Sequence, residues 1–185
     1  MSGFLTADYR AFELFGKRWG LVTAGSMEDY NSCTVSWGGL GTLWGRPAVT
    51  VYVHPARHTC GFLEGNDFFT VSFYDERYRD ALAYMGAHSG RDGDKAAAAG
   101  LTPLAFGQGV TYEQAELTLL CRKLYAHQFG RDALAPEVQA MYAAAPDVYP
   151  DFQGGWQPHI VFVGEVIDAL DKREHRQGAA ARTTF

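Results

Sequence analysis

From Asn31 to Trp37 the side chains alternate with a period of two. Ser32, Thr34 and Ser36 fall on one side of an extended chain, and Cys33, Val35 and Trp37 on the other. A strand whose packed face carries hydroxyls in place of Leu or Val constrains the fold, because every buried hydroxyl needs a hydrogen-bond partner. Two readings meet that demand. The hydroxyls pair with neighbouring strands and water, as Ser and Thr in barrels often do, or a planar ligand with polar edges lies against them. A Gly-rich turn follows, with Gly38, Gly39, Gly41 and Gly45, and then a β-branched run from Val49 to Val53.

Strand signals recur along the chain. Residues 18–24 read as the first strand, 31–38 as the second and 48–53 as the third, whose apolar residues on both faces mark it as central. Residues 68–73 supply a fourth, with Thr70 and Ser72 on one face. One long strand is expected within residues 111–128, and a last one over 159–170, where Gly164 marks a bulge. Helices interrupt the strands at residues 57–64, started by Pro55; at 75–85, with Tyr78, Leu82 and Met85 on one face; and at 93–99, capped by Asp92. Residues 131–151, rich in Ala and Pro, read as an insertion packed on the barrel, helical around Val138 to Tyr142. Phe4, Phe12, Leu14 and Phe15 are expected on the barrel's outside and Trp44 in its core. By themselves these residues support a mainly β, antiparallel barrel with peripheral helices. One domain is expected over residues 1–170, followed by a charged, Gly/Ala-rich tail over 171–185.

A chain of 185 residues can bury a sizeable core, and 47% hydrophobic with 14% aromatic residues excludes disorder for most of it. No apolar run approaches the roughly 20 residues that span a bilayer. The start lacks a basic segment followed by an apolar core, so the expectation is a cytoplasmic protein with no membrane partner. Net charge is −5 and the basic residues are scattered, without the basic stripe that nucleic-acid binding wants. Cys33, Cys60 and Cys121 form no Cys-x-x-Cys pair, which fits reduced thiols and argues against a disulfide framework or a Cys-rich zinc site. No Ser-His-Asp, Cys-His or paired-carboxylate arrangement points to hydrolysis, so the chemistry belongs to a cofactor.

Two clusters suit a phosphate. Arg57-His58-Thr59 opens a helix, where backbone N–H groups, the helix dipole and a guanidinium converge on an anion. A capped surface helix with a solvated Arg explains the same spacing. Ser89-Gly90-Arg91, followed by Asp92 and Lys95, offers a hydroxyl, a Gly that permits close backbone approach and a cation one turn on. A flexible polar turn before a solvated helix is the plain alternative. His54, His58 and Cys60 invite a metal reading, which Pro55 opposes by setting His54 ahead of the helix; no metal is assigned.

Four pieces occur in this order: Asn31-Ser32-Cys33-Thr34-Val35-Ser36-Trp37-Gly38-Gly39, Arg57-His58-Thr59, Ser89-Gly90-Arg91-Asp92 with Lys95, and His159 followed by Val163-Gly164-Glu165-Val166. Together they resemble the flavin reductase-like family of FMN-binding split barrels, especially its flavoredoxin-like branch, over about residues 15–170. The resemblance implies an antiparallel split β-barrel of Greek-key type, a homodimer with flavin near the subunit interface, FMN as cofactor, and NADH or NADPH as electron donor. It also implies that Asn31, Ser32, Thr34, Val35, Ser36 and Trp37 contact the flavin, that Arg57, His58, Thr59, Ser89, Gly90 and Lys95 surround its phosphate, and that His159 receives the nicotinamide. The family's reductase branch carries a Gly-Asp-His triplet at that last position. Here Gln157-Pro158 precede the His, so the triplet is broken and its His kept. The implied activity is hydride transfer from NAD(P)H to FMN and onward to a second acceptor, such as a partner oxidoreductase. Two alternatives are an FMN electron carrier with no nicotinamide site and a ligand-binding barrel with no redox role.

Overall fold

The computed structural model describes Phe4 and residues 7–151 and 154–173. A π-helical turn, Glu13–Arg18, leads into β1 (Gly20–Gly25) and β2 (Tyr30–Val35). There follow β3 (Gly38–Leu43), β4 (Arg46–Val53), α1 (His58–Gly65), β5 (Phe68–Phe73), α2 (Arg79–Ala87) and α3 (Lys95–Ala98). The chain continues through β6 (Pro103–Phe106), β7 (Gly109–Tyr112), β8 (Leu117–Gln128), α4 (Pro136–Ala144) and β9 (Ile160–Asp171). Seven strands form one antiparallel sheet in the order β2-β1-β5-β8-β9-β4-β3, and β6 pairs with β7 in a separate hairpin. β2 and β3 are the two edges of that sheet, yet only Ser36 and Trp37 separate them in sequence. So short a link spans at most about 11 Å, which forces the edges together and rolls the sheet into a barrel split at this seam.

The barrel interior is apolar. Val22, Val35, Val49, Val51, Phe69, Val71, Phe73, Leu119 and Phe162 are all buried there. Leu14 and Phe15, expected outside, lie inside this core, while Phe12 is 96% exposed. Phe15 stands edge-on to Phe73 at 5.1 Å and fills the space of an absent side chain at Gly38, where a Cβ would come within 2.3 Å of its ring. A second apolar layer, with Leu21, Tyr74, Leu82, Met85, Leu101 and Tyr112, packs α2, α3 and the β6–β7 hairpin on the outer face. Between the layers runs a seam of buried hydroxyls. Ser32 Oγ lies 2.8 Å from Thr23 Oγ1 and 2.6 Å from Tyr112 OH, Ser72 Oγ lies 2.9 Å from Thr111 Oγ1, and Thr70 donates to the Val110 carbonyl. Each such bond contributes about 1 kcal/mol net. Much of the alternating hydroxyl pattern therefore docks the hairpin onto the barrel.

Several expectations are corrected. The Gly-rich stretch after Trp37 is strand β3, because its residues pair with β4 from Gly38↔Val51 to Leu43↔Arg46. The turn is Trp44-Gly45, with φ of 53° and 69°, the positive pair that tight hairpins require. Trp44 is 62% exposed on it and takes no part in the core. The strand expected within 111–128 breaks after Tyr112, since β7 turns away to pair with β6. Gly164 pairs with Val49 and Lys123, and the irregularity beside it lies on the facing strand, between Lys123 and Tyr125. Residue 164 is glycine because a Cβ would sit 2.6 Å from the Phe69 ring and 2.8 Å from Cys121 Cβ. The extra residues of the ladder are Leu124 in β8, across from the Gly164 step, and Ile167 in β9. The helix expected over 75–85 is a 3₁₀ turn, Glu76–Tyr78, and then α2; α1 begins at His58, beyond a turn at Pro55; and Asp94, not Asp92, caps α3. Of the expected tail, residues beyond Arg173 lie outside the described residues.

Candidate functional site

Asn31 joins three motifs that are far apart in sequence. Its Oδ1 accepts from Thr59 Oγ1 at 3.1 Å, at the start of α1. Gly90, in the loop after α2, comes so close that a Cβ would lie 2.0 Å from Asn31 Nδ2, so any side chain there would have to displace the Asn31 amide. Arg57 and Lys95 clamp the same loop. Exposed Arg57 is the N-cap residue of α1, makes no side-chain cap, and donates from Nη1 to the Gly86 carbonyl at 3.0 Å. Lys95 is only 9% exposed, and its Nζ donates to the Met85 and His88 carbonyls at 3.1 and 3.0 Å. Those carbonyls end α2, so both cations also serve the negative end of its dipole. Burial holds the Lys95 pKa below the ordinary lysine value, with Arg57 adding to the effect and Cys33 opposing it. Burial, then Arg91 and Lys95, lower His58, with Asp29 opposing.

Three cations gather at this corner. Arg18, Arg46, Arg122 and Arg173 each hold a carboxylate. Among the described residues Arg57, Arg91 and Lys95 hold none. Cations without counter-anions beside an uncapped helix start fit a bound phosphate. A cleft of about 780 Å³ opens there, with Arg57, His58 and Arg91 on its wall and Asp29 and Glu64 also reaching it.

A smaller slot of about 150 Å³ lies at the barrel seam, and Arg57 lines both cavities. Residues 33–37 form one wall, β4 delivers Tyr52, Val53 and His54, β9 delivers His159 just before its start, and the chain after α4 delivers Val148 and Tyr149. His54 and His159 are buried with ring centroids 5.4 Å apart. Trp37 lies 4.7 Å from His159, and Tyr149 lies 5.9 Å from His54 and 5.5 Å from His159. The Tyr142 hydroxyl sits 2.6 Å from His159 Nδ1 and accepts from the His159 backbone N–H at 3.2 Å. Trp156 stacks on Tyr142 at 5.2 Å. Burial first, then His54 and Arg57, push the His159 pKa down to about 3. Burial and then Arg57 lower that of His54, while the Gln157 backbone opposes. Both rings are therefore neutral at pH 7.

The structure gathers Asn31, Arg57, His58, Thr59, Ser89, Gly90 and Lys95 around one corner, and sets Thr34, Val35, Ser36, Trp37 and His159 around the slot. Ser32 spends its hydroxyl on Thr23 and Tyr112, and Thr34 donates to the Leu82 carbonyl at 2.5 Å. Neither offers a free hydroxyl to a ligand. Ser89 Oγ accepts from the Arg91 N–H at 3.2 Å and shapes its own loop. Sequence reasoning missed Tyr142 and Tyr149, and met His54 only as a metal candidate. Among the described residues no three His, Cys, Asp or Glu side chains gather as metal ligands would, and no helix is long and apolar enough to cross a membrane.

An antiparallel sheet rolled and split between residues 35 and 38, with helices outside, is the flavin reductase-like split-barrel fold. Residues 12–182 match the family described as the flavin reductase like domain, and the chain belongs to that family of flavin-binding proteins. Among solved structures it is similar to a flavoredoxin from Methanosarcina acetivorans, at 19% identity and a TM-score of 0.62 over 83% of this chain and 68% of that one. It is similar to an FMN-binding protein from Thermus thermophilus with bound p-hydroxybenzaldehyde, at 22% identity and a TM-score of 0.65 over 92% of this chain and 84% of that one. A third similar structure is an NADH:FAD oxidoreductase from Streptomyces globisporus C-1027 with NAD and FAD fragments, at 17% identity and a TM-score of 0.58 over 83% and 73%. No curated protein matches the sequence.

Proposed function

We propose that the chain is an NAD(P)H-dependent flavin oxidoreductase that holds FMN and passes electrons from NADH or NADPH to a second acceptor. The observation that carries this reading is the set of cations without a carboxylate partner, Arg57, Arg91 and Lys95, gathered near the uncapped start of α1, next to the slot that holds His159. FMN brings a phosphate dianion and a ring that accepts hydride. Arg57, His58, Thr59, Ser89, Gly90 and Lys95 hold the phosphate, Asn31 ties their elements together, and residues 32–37 back the ring, with Thr34, Val35, Ser36 and Trp37 on the slot side. His159 is neutral at pH 7 and so orients the nicotinamide by hydrogen bonding; it does not act as an acid. The NADH:FAD oxidoreductase among the similar structures supports the choice of donor. The working unit is a cytoplasmic homodimer of single-domain chains, for which exposed Tyr125, Phe129 and Ile167 supply apolar surface.

A second reading is an FMN electron carrier reduced by a partner oxidoreductase. It is favoured by the slot's small volume, about 150 Å³, under Val148 and Tyr149. Anaerobic mixing of the FMN-loaded protein with NADH or NADPH separates the two. Loss of the flavin's visible absorbance within seconds is the expected result, and no bleaching with either donor moves the assignment to the carrier. A protein that takes up no flavin removes both.

A further inference from the structure

The two imidazoles of the slot are wired alike by different parts of the chain. His54 Nδ1 accepts from the Ala56 backbone N–H at 3.3 Å, so the neutral ring must carry its proton on Nε2. That Nε2 is buried and makes no hydrogen bond, although the Gln157 backbone stands close enough to raise the ring's pKa. At His159 the Tyr142 oxygen accepts from the backbone N–H at 3.2 Å and lies 2.6 Å from Nδ1, which suits donation of the phenolic proton to Nδ1. With the phenol as donor, His159 too carries its proton on Nε2. Tyr142 is itself held by Trp156, whose ring stacks on it with only 6° between the planes.

We infer that His54 and His159 form a paired donor site, their tautomers set by the Ala56 N–H and the Tyr142 hydroxyl, that takes the carbonyl oxygen of the second substrate. The inference rests on the proposed flavin reading for what that substrate reacts with. Neutral N–H donors suit an uncharged carbonyl. A buried donor without a partner is costly until an acceptor arrives, and the slot's volume admits a small ring. Arg57 on the slot wall favours any negative charge that develops on that oxygen. The carbonyl has two possible sources: the carboxamide of the nicotinamide donor, or a ketone or quinone acceptor. Tyr142, which does not line the slot and acts through its bonds to His159, is a positioning residue; the Asp of the family's triplet is Pro158 here.

The test is nitrogen NMR of the histidine rings in the FMN-loaded chain and in the flavin-free chain, with titration by matched probes. Nicotinamide is compared with 3-methylpyridine, and acetophenone with ethylbenzene. Both rings should show the Nε2–H tautomer at pH 7, and a carbonyl-bearing probe should move both Nε2–H signals while its carbonyl-free partner does not. His54→Leu should weaken the carbonyl probe about tenfold, and His54→Gln should restore most of the loss. Tyr142→Phe should let His159 mix tautomers and weaken the same probe, with FMN affinity unchanged. Response to nicotinamide alone assigns the site to the electron donor; response to acetophenone alone assigns it to the acceptor. An Nδ1–H tautomer at either ring, or equal binding of probes with and without the carbonyl, overturns the inference. If tautomers and carbonyl preference hold in a chain that takes up no FMN, the flavin reading fails and the donor pair stands.

Discussion

Combining Arg57→Ala with Lys95→Met lowers FMN affinity by about a hundredfold or more. A charge-assisted bond to phosphate contributes about 1.5–3 kcal/mol, and two such losses exceed the roughly 2.7 kcal/mol that a hundredfold represents. The two cations differ in kind. Arg57 is exposed and screened by water, whereas Lys95 is 9% exposed, so its share is the less sensitive to salt. Lys95→Met also strips the Met85 and His88 carbonyls of a donor, at about 1–3 kcal/mol of folding stability. Arg57→Ala leaves one carbonyl, that of Gly86, which water can reach. Isothermal titration with FMN and denaturant unfolding on the single and double variants separate the two effects. FMN affinity unchanged in a folded double variant removes both cations from the site.

Acid should destabilise the protein through His159. Its pKa is 6.5 when exposed and about 3 in the fold, where burial, His54 and Arg57 disfavour the charged ring. The unfolded chain therefore takes up the proton first. The stabilisation is complete above pH 6.5 and is lost as pH falls toward 3. Between pH 7 and about pH 4.5 this single group accounts for about 2.5 kcal/mol. Denaturant unfolding across that range, in the wild type and in His159→Gln, isolates it, because carboxylate contributions are common to both. The variant's profile should be flatter by that amount, and parallel profiles would show that His159 is not held neutral by the fold.

The fold was legible where side-chain period and packing agree. β1, β2, β4, β5 and β9 carry alternating or continuous apolar residues, and each lies close to its expected span. β3 was hidden because Gly38, Gly39 and Gly41 show no period at all; its strand character comes from pairing with β4. Leu14 and Phe15 were misplaced for a related reason, since only the missing side chain at Gly38 opens the interior to the Phe15 ring. The hydroxyls of β2 were visible as a pattern but ambiguous in meaning. Ser32 turned out to serve Tyr112, some 80 residues away in sequence, a partner that no local spacing shows. The cations of the anion corner were visible as short motifs, while the lack of ion pairs to the nearby Asp29 and Glu64 is a tertiary fact. Tyr142 left no signal, since it lies 17 residues before the His159 it orients.

The measurement that bears most directly on the whole account is the affinity of the flavin-free protein for FMN against riboflavin, which is the same ring without the phosphate. If Arg57, His58, Thr59, Ser89, Gly90 and Lys95 form a phosphate cradle, FMN should bind at least about a hundredfold more tightly. That preference should collapse in the Arg57→Ala/Lys95→Met variant while riboflavin affinity stays as it was. Equal affinity for the two flavins in the wild-type protein would contradict the account.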